Sequence, residues 1–129
     1  MAVNVEWAGE SRINCTNKSG KSIMVDWELG PSPVEVLAQM AGACSLVDVV
    51  IGLKQRTIHS ANVYIDYQRA TDLPKVITHM HMIYRLSGEE IPQKLVEGLI
   101  TQSHEKYCSV SNTMNGVTEF SWELELNNS

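Results

Sequence analysis

The amino-acid sequence predicts an α+β fold in the order βββ-α-ββ-α-β. Three patterns carry that expectation. Short alternating segments fill residues 2–27. A run that is apolar nearly all round follows, opened by Ser32-Pro33. Two longer alternating segments, a second proline-opened helix and a last alternating segment complete the chain. At 129 residues this is expected to be one domain, 1–129, long enough to bury a real core.

Residues 2–8, 11–17 and 21–27 read as three strands, the last two joined at the turn composition Lys18-Ser19-Gly20. Gly30-Pro-Ser-Pro33 ends them. Ser32 is a good N-cap, Pro33 suits the first helical position, and Glu35 stands three residues after Ser32, which makes a capping box. The helix should run to about Lys54 or Arg56. Leu37, Met40, Ala41, Cys44, Val47 and Ile51 follow one helical face and are the expected buried stripe. Val36, Ala43, Val50 and Leu53 widen it, so the helix should be central. A domain this small is expected to find part of that cover in a partner subunit. Asn62–Tyr67 and Val76–Leu86 read as strands, closed by Ser87-Gly88. Pro92 opens a helix with Leu95, Val96, Leu99 and Ile100 as its stripe, fraying near Tyr107-Cys108. Val117–Leu126 reads as the last strand.

Composition narrows the function. Apolar residues make up 43% and charged residues 19%, as in a soluble globular protein. A net charge of −5 without a basic stretch argues against a nucleic-acid partner, whose phosphates are held by Lys and Arg. The N-terminus lacks the basic and apolar regions of a signal peptide. The run Leu37–Leu53, broken by Gln39 and Asp48, is short of the ~20 residues of a bilayer span, so no membrane partner is expected. Three cysteines without framework spacing suit a reducing cytoplasm.

Two of those cysteines are placed by regular structure, Cys44 on the long helix and Cys108 just past the second. Thiols that meet in space cycle between dithiol and disulfide. Cys108 follows a helix C-terminus, which disfavours a thiolate, and Lys106, which favours one. Asp48, one turn after Cys44, would raise that thiol's pKa unless it faces a cation such as Arg12. Glu35 is nine residues before Cys44, on the opposite side of the helix and roughly 13 Å along it, so it should cap its own helix rather than touch that thiol. His79 and His81 share a strand face, and with His104 or Cys108 they make a weak zinc alternative. Met40, Met80, Met82 and Met114 are read as core, with an apolar substrate pocket as the alternative. Cys15 receives no role, and no cofactor is expected.

Gly30-Pro-Ser-Pro-Val-Glu-Val-Leu, Gly42-Ala-Cys44, Asp48-Val-Val and Glu105-Lys-Tyr-Cys108-Ser-Val-Ser together resemble the two cysteine motifs of the OsmC-like family, in the right order and over nearly the whole chain. The resemblance is to a branch with Pro-x-Glu at the helix start. It implies an intertwined homodimer, with two sheets around paired central helices and sites at the interface. It implies reduction of organic or hydrogen peroxides, with Cys44 peroxidatic, Cys108 resolving and an external dithiol as reductant. It also implies an activating Arg and Glu, for which Arg12 and Glu35 are the candidates. The organic-peroxide branch has its Glu directly after the motif proline, where this chain has Val34. The alternative is a non-catalytic dimer of the same fold that binds a small ligand or senses redox state.

Overall fold

A computed structural model describes residues 1–129. The chain forms two compact units, Met1–Leu37 and Ala38–Ser129. In the first, β1 (Asn4–Trp7), β2 (Arg12–Thr16) and β3 (Ser22–Asp26) make an antiparallel sheet in that order. Asp26 closes it. Its carboxylate accepts from the Ser11 hydroxyl at 2.7 Å and from the backbone N–H groups of Glu28 and Leu29 at 2.9 Å. These bonds, Ser11's foremost, hold the carboxyl below its ordinary value.

Helix α1 (Pro33–Gly52) starts as its sequence dictates. The Glu35 N–H donates to Ser32 Oγ at 3.2 Å, and the Ser32 N–H donates to Glu35 Oε1 at 2.8 Å. Two orphan donors of the first turn are thereby satisfied reciprocally. At 20 residues α1 is long and apolar enough, by length and composition alone, to cross a membrane, a test that the core helix of a soluble protein also passes. Its mid-helix polar groups are instead engaged within the second unit, as described below.

The expected buried stripe of α1 is also corrected. The residues it buries are mostly small: Ala38, Ala41, Gly42, Ser45 and Val49. Val47 is 52% and Ile51 59% exposed, and Leu37, Met40 and Val50 are exposed as well. The physical reason lies in the close approach of the second unit's strands and helices. A Cβ on Gly42 would strike the Ile65 side chain, and one on Gly52 would strike Leu99. Small residues face these neighbours, and the larger apolar side chains point the other way.

In the second unit β4 (Thr57–Arg69) pairs antiparallel with β5 (Ile77–Glu89), and β5 pairs parallel with β6 (Glu119–Asn128). Both long strands extend beyond their expected ends. Ser87-Gly88 lies inside β5, where a Cβ on Gly88 would strike the Thr57 carbonyl oxygen. The parallel pairing demands a crossover, supplied by α2 (Gln93–Gln102), a π-helical turn (Ser103–Tyr107) and α3 (Ser109–Met114). Met80, Met82, Tyr84 and Leu86 of β5 and Val96 and Ile100 of α2 are buried core, whereas Leu95 is exposed.

Candidate functional site

The expected fraying after α2 is an ordered device. A widened π turn replaces the last α turn, closed by the Cys108 N–H on the Ser103 carbonyl at 2.7 Å. Such turns rotate the following residues and recur at functional sites. Here Ser103 and Cys108 are both buried, and His104 is half-buried. Cys108 is at once the C-cap of this turn and the N-cap of α3. The Ser111 N–H donates to its Sγ at 3.4 Å, and Sγ donates to the Ala41 carbonyl at 3.8 Å. The expected helix C-terminus before Cys108 is present, and the start of α3, which the sequence did not announce, adds a helix N-terminus at the same residue.

Cys44 is half-buried and free, and Cys108 is fully buried and free. The two thiols are neighbours. Burial pushes the Cys108 thiol up, the Ser111 hydrogen bonds pull it back, and the Cys44 thiol, as hydrogen-bond partner and as charge, pushes it up again. Cys108 is therefore held as the neutral thiol, while Cys44 is the one that a solute can reach.

Beside the thiols runs a chain of polar side chains that sequence reasoning did not assemble. Asp48 Oδ2 and Ser103 Oγ lie 2.8 Å apart, and Ser103 Oγ and Ser45 Oγ 2.9 Å apart. Ser45 Oγ and the Tyr84 hydroxyl are 2.5 Å apart, and that hydroxyl is 2.8 Å from His104 Nε2. Burial pushes the Tyr84 phenol up to about 12, against Ser45's hydrogen bond. Burial also holds the His104 imidazole below its ordinary value, against the pull of Asp48. Asp48 thus meets a serine hydroxyl. The signal in the sequence was Ser45 and Asp48, three residues apart on one helical face.

The other named residues fall in different places. Glu35 serves the capping box. Arg12 is solvent-exposed on β2, 4.0 Å from Glu10. His79 and His81 lie on the outer face of β5: His79 is opposite Glu119, 3.2 Å away, and His81 is opposite Ser121, with Nδ1 2.7 Å from its Oγ and Nε2 3.6 Å from Glu123. No group of three or more His, Cys, Asp or Glu side chains is placed to hold a metal ion. Met80 and Met82 are core, Met40 is exposed, and Cys15 is half-buried on β2.

A family model described as OsmC-like protein matches residues 26–123. Protein YhfA of Escherichia coli K12 is 29% identical over 116 residues, covering 86% of this chain and 87% of that protein. Among solved structures, a hypothetical protein of Aquifex aeolicus VF5 superposes with a TM-score of 0.82 at 26% identity, covering 98% of this chain and 97% of that one. The organic hydroperoxide resistance protein OhrB of Bacillus subtilis shares the fold at a TM-score of 0.59 and 14% identity, covering 96% of each chain.

Proposed function

This chain belongs to the OsmC-like family, and from that premise we propose that it is a cysteine-dependent hydroperoxide reductase acting as a homodimer. One observation carries the reading: Cys44 of α1 and Cys108 at the start of α3, far apart in sequence, are brought side by side with unequal access. The reachable thiol attacks, and the buried neutral one resolves.

In chemical terms the Cys44 thiolate attacks the terminal peroxide oxygen. The O–O bond breaks, an S–O bond forms, and the alkoxide leaves and takes a proton to become the alcohol. Cys44 is now a sulfenic acid. The Cys108 sulfur attacks the Cys44 sulfur, the S–O bond breaks, and the Cys108 proton leaves with the hydroxyl as water. An external dithiol reduces the resulting disulfide and is itself oxidised to a disulfide. Arg12 and Glu35 are the candidate activating groups, reaching a thiol from the partner subunit. The exposed apolar face of α1 supports the dimer. The function named for OhrB of Bacillus subtilis supports organic hydroperoxides as substrates.

Stopped-flow oxidation of the reduced protein by cumene hydroperoxide and by hydrogen peroxide, with free thiols counted before and after, tests the reading. Two thiols per chain should be consumed, faster with the organic peroxide. Cys44→Ser should abolish peroxide consumption, and Cys108→Ser should trap a dimedone-reactive sulfenic acid. Equal residual turnover in the two variants would overturn the assigned roles.

A further inference from the structure

The bond that defines the π turn runs from the Cys108 N–H to the Ser103 carbonyl, five residues back and 2.7 Å away. In an α turn that carbonyl would take the N–H of residue 107. The extra residue turns the chain by about 100°, and it makes Ser103 the residue that holds the Cys108 backbone. The Ser103 side chain is tied elsewhere. Its Oγ lies 2.8 Å from Asp48 Oδ2 and 2.9 Å from Ser45 Oγ, both on α1. A carboxylate only accepts and a hydroxyl has one proton to give, so Ser103 donates to Asp48 and accepts from Ser45. The two bonds are compatible, and together they fix the hydroxyl.

Ser45 directly follows Cys44, and Asp48 stands one turn after it. On the other side, the carbonyl of Ala41, three residues before Cys44, accepts from the Cys108 Sγ at 3.8 Å. Cys108 is thus fastened to α1 on both sides of Cys44: by its own sulfur to Ala41, and through Ser103 to Ser45 and Asp48. Ser45, Ser103 and Cys108 are fully buried, where hydrogen bonds are stronger than in water. Small apolar residues at 103 and 48 would fill the same space without the cost of desolvating a hydroxyl and a carboxylate. What the polar link adds is a fixed placement of one sulfur beside the other.

We infer that Ser103 is a positioning residue for the resolving step: it clamps Cys108 to the turn of α1 that carries Cys44, and thereby sets how fast and how completely the two sulfurs join. The inference rests on the assignment of Cys44 and Cys108 as the reacting pair, and it concerns the second step alone. In that step the Cys108 sulfur attacks the Cys44 sulfenic acid, the S–S bond forms as the S–O bond breaks, and the Cys108 proton leaves with the hydroxyl as water. Attack on the peroxide needs Cys44 and not the clamp. Holding two reacting groups in place raises their effective concentration, so loss of the clamp lowers rate and equilibrium together.

Equilibrium of the full chain in glutathione buffer separates the clamp from the peroxide chemistry. Glutathione disulfide oxidises the two thiols to the Cys44–Cys108 disulfide and is itself reduced to two glutathione molecules, so the ratio of forms reads the effective concentration of one sulfur at the other. Ser103→Ala should lower that equilibrium constant by about tenfold or more. Asp48→Ala should lower it too, and Asp48→Asn, which keeps an acceptor oxygen for Ser103, should restore most of the loss. Thr118→Val removes a buried hydroxyl that is bound to the Ile77 carbonyl at 2.6 Å and not to α1. It should cost stability and leave the constant at the native value. With cumene hydroperoxide, Ser103→Ala should form the sulfenic acid at the native rate and the disulfide about tenfold or more slowly. A native glutathione constant in either Ser103→Ala or Asp48→Ala, or an equal fall in Thr118→Val, would overturn the clamp. A native protein that ignores peroxide while Ser103→Ala still lowers the glutathione constant would overturn the reductase reading and leave the clamp standing.

Discussion

At the scale of single residues, burial and hydrogen bonding act on the same sulfur with opposite signs. Burial makes Cys108 a poor thiolate, while the Ser111 N–H at the start of α3 eases its ionisation. Burial is the larger effect. Iodoacetamide should therefore modify Cys44 of the native protein well before Cys108, a difference that peptide mapping of partly alkylated protein reads directly. Reaction of Cys108 first would contradict the burial argument. His104 gives a second expectation. Its folded-state pKa lies below the ordinary value of 6.5, so the unfolded chain binds the proton more readily. Stability then rises with pH through this group, is complete above 6.5 and is lost as pH falls below it. Thermal melts between pH 7.5 and 5 should show a steeper acid loss for the native protein than for His104→Asn. Tyr84 has the reverse sign. Its folded pKa of about 12 exceeds the ordinary 10.0, so its contribution is complete below pH 10 and is lost as pH rises toward 12.

The two cysteines were legible as residues because motif and element placed them. Tyr84, Ser45, Ser103 and His104 were not read together. Periodicity tells which face a side chain occupies, but not which polar groups on different elements find one another. Ser103 and His104 are consecutive, and only the π turn carries both toward the same network. That turn is a departure from regular spacing, so regular spacing could not announce it.

Among the elements, those with chemical start signals were read best. The capping box of α1 was visible as Ser32-Pro-x-Glu35, and it forms with the expected reciprocal bonds. Ser32→Ala and Glu35→Ala should each cost about 1 kcal/mol. Because the two bonds brace one turn, the double variant should cost less than the sum. Urea melts of the four proteins measure this. A fall in the rate of Cys44 oxidation in Glu35→Ala but not in Ser32→Ala would separate the proposed activation of the partner's thiol by Glu35 from its capping role. The early start of β4 at Thr57 and the extension of β5 through Gly88 were missed for a shared reason. Thr57 to Ala61 is short on large apolar residues and alternates weakly, and Ser87-Gly88 has turn composition. The pairing of Ile58 with Gly88 is decided by tertiary contact, which overrides local preference. Helix α3 escaped notice because its six residues, Ser109–Met114, carry no stripe.

On the scale of the whole molecule, the distribution of exposed apolar side chains argues for a second copy. The sequence showed correctly that α1 is apolar nearly all round, but composition alone could not say which face meets its own chain. The small-residue face does, which leaves Leu37, Met40, Val47, Val50 and Ile51 exposed along α1. In the first unit Val5, Trp7, Ile23 and Trp27 are exposed as well. An apolar helix face of this kind, such as the one α1 exposes, marks an interaction site. If a partner copy covers α1, Val47→Glu places an unpaired carboxylate in an apolar interface. If nothing covers it, the same change falls on a solvated surface, where substitutions usually shift stability by no more than about 0.5 kcal/mol. The two cases separate cleanly. A homodimer requires the native protein to sediment at twice its 14.4 kDa chain mass, with a melting temperature that rises with protein concentration. Val47→Glu should dissociate it and lower the melting temperature. Because the proposed activating groups come from the partner, the variant should also lose peroxide turnover while Cys44 and Cys108 remain intact. A native monomer whose melting temperature is independent of concentration, with Val47→Glu unchanged from it, would refute both the dimer and the sharing of sites between its subunits.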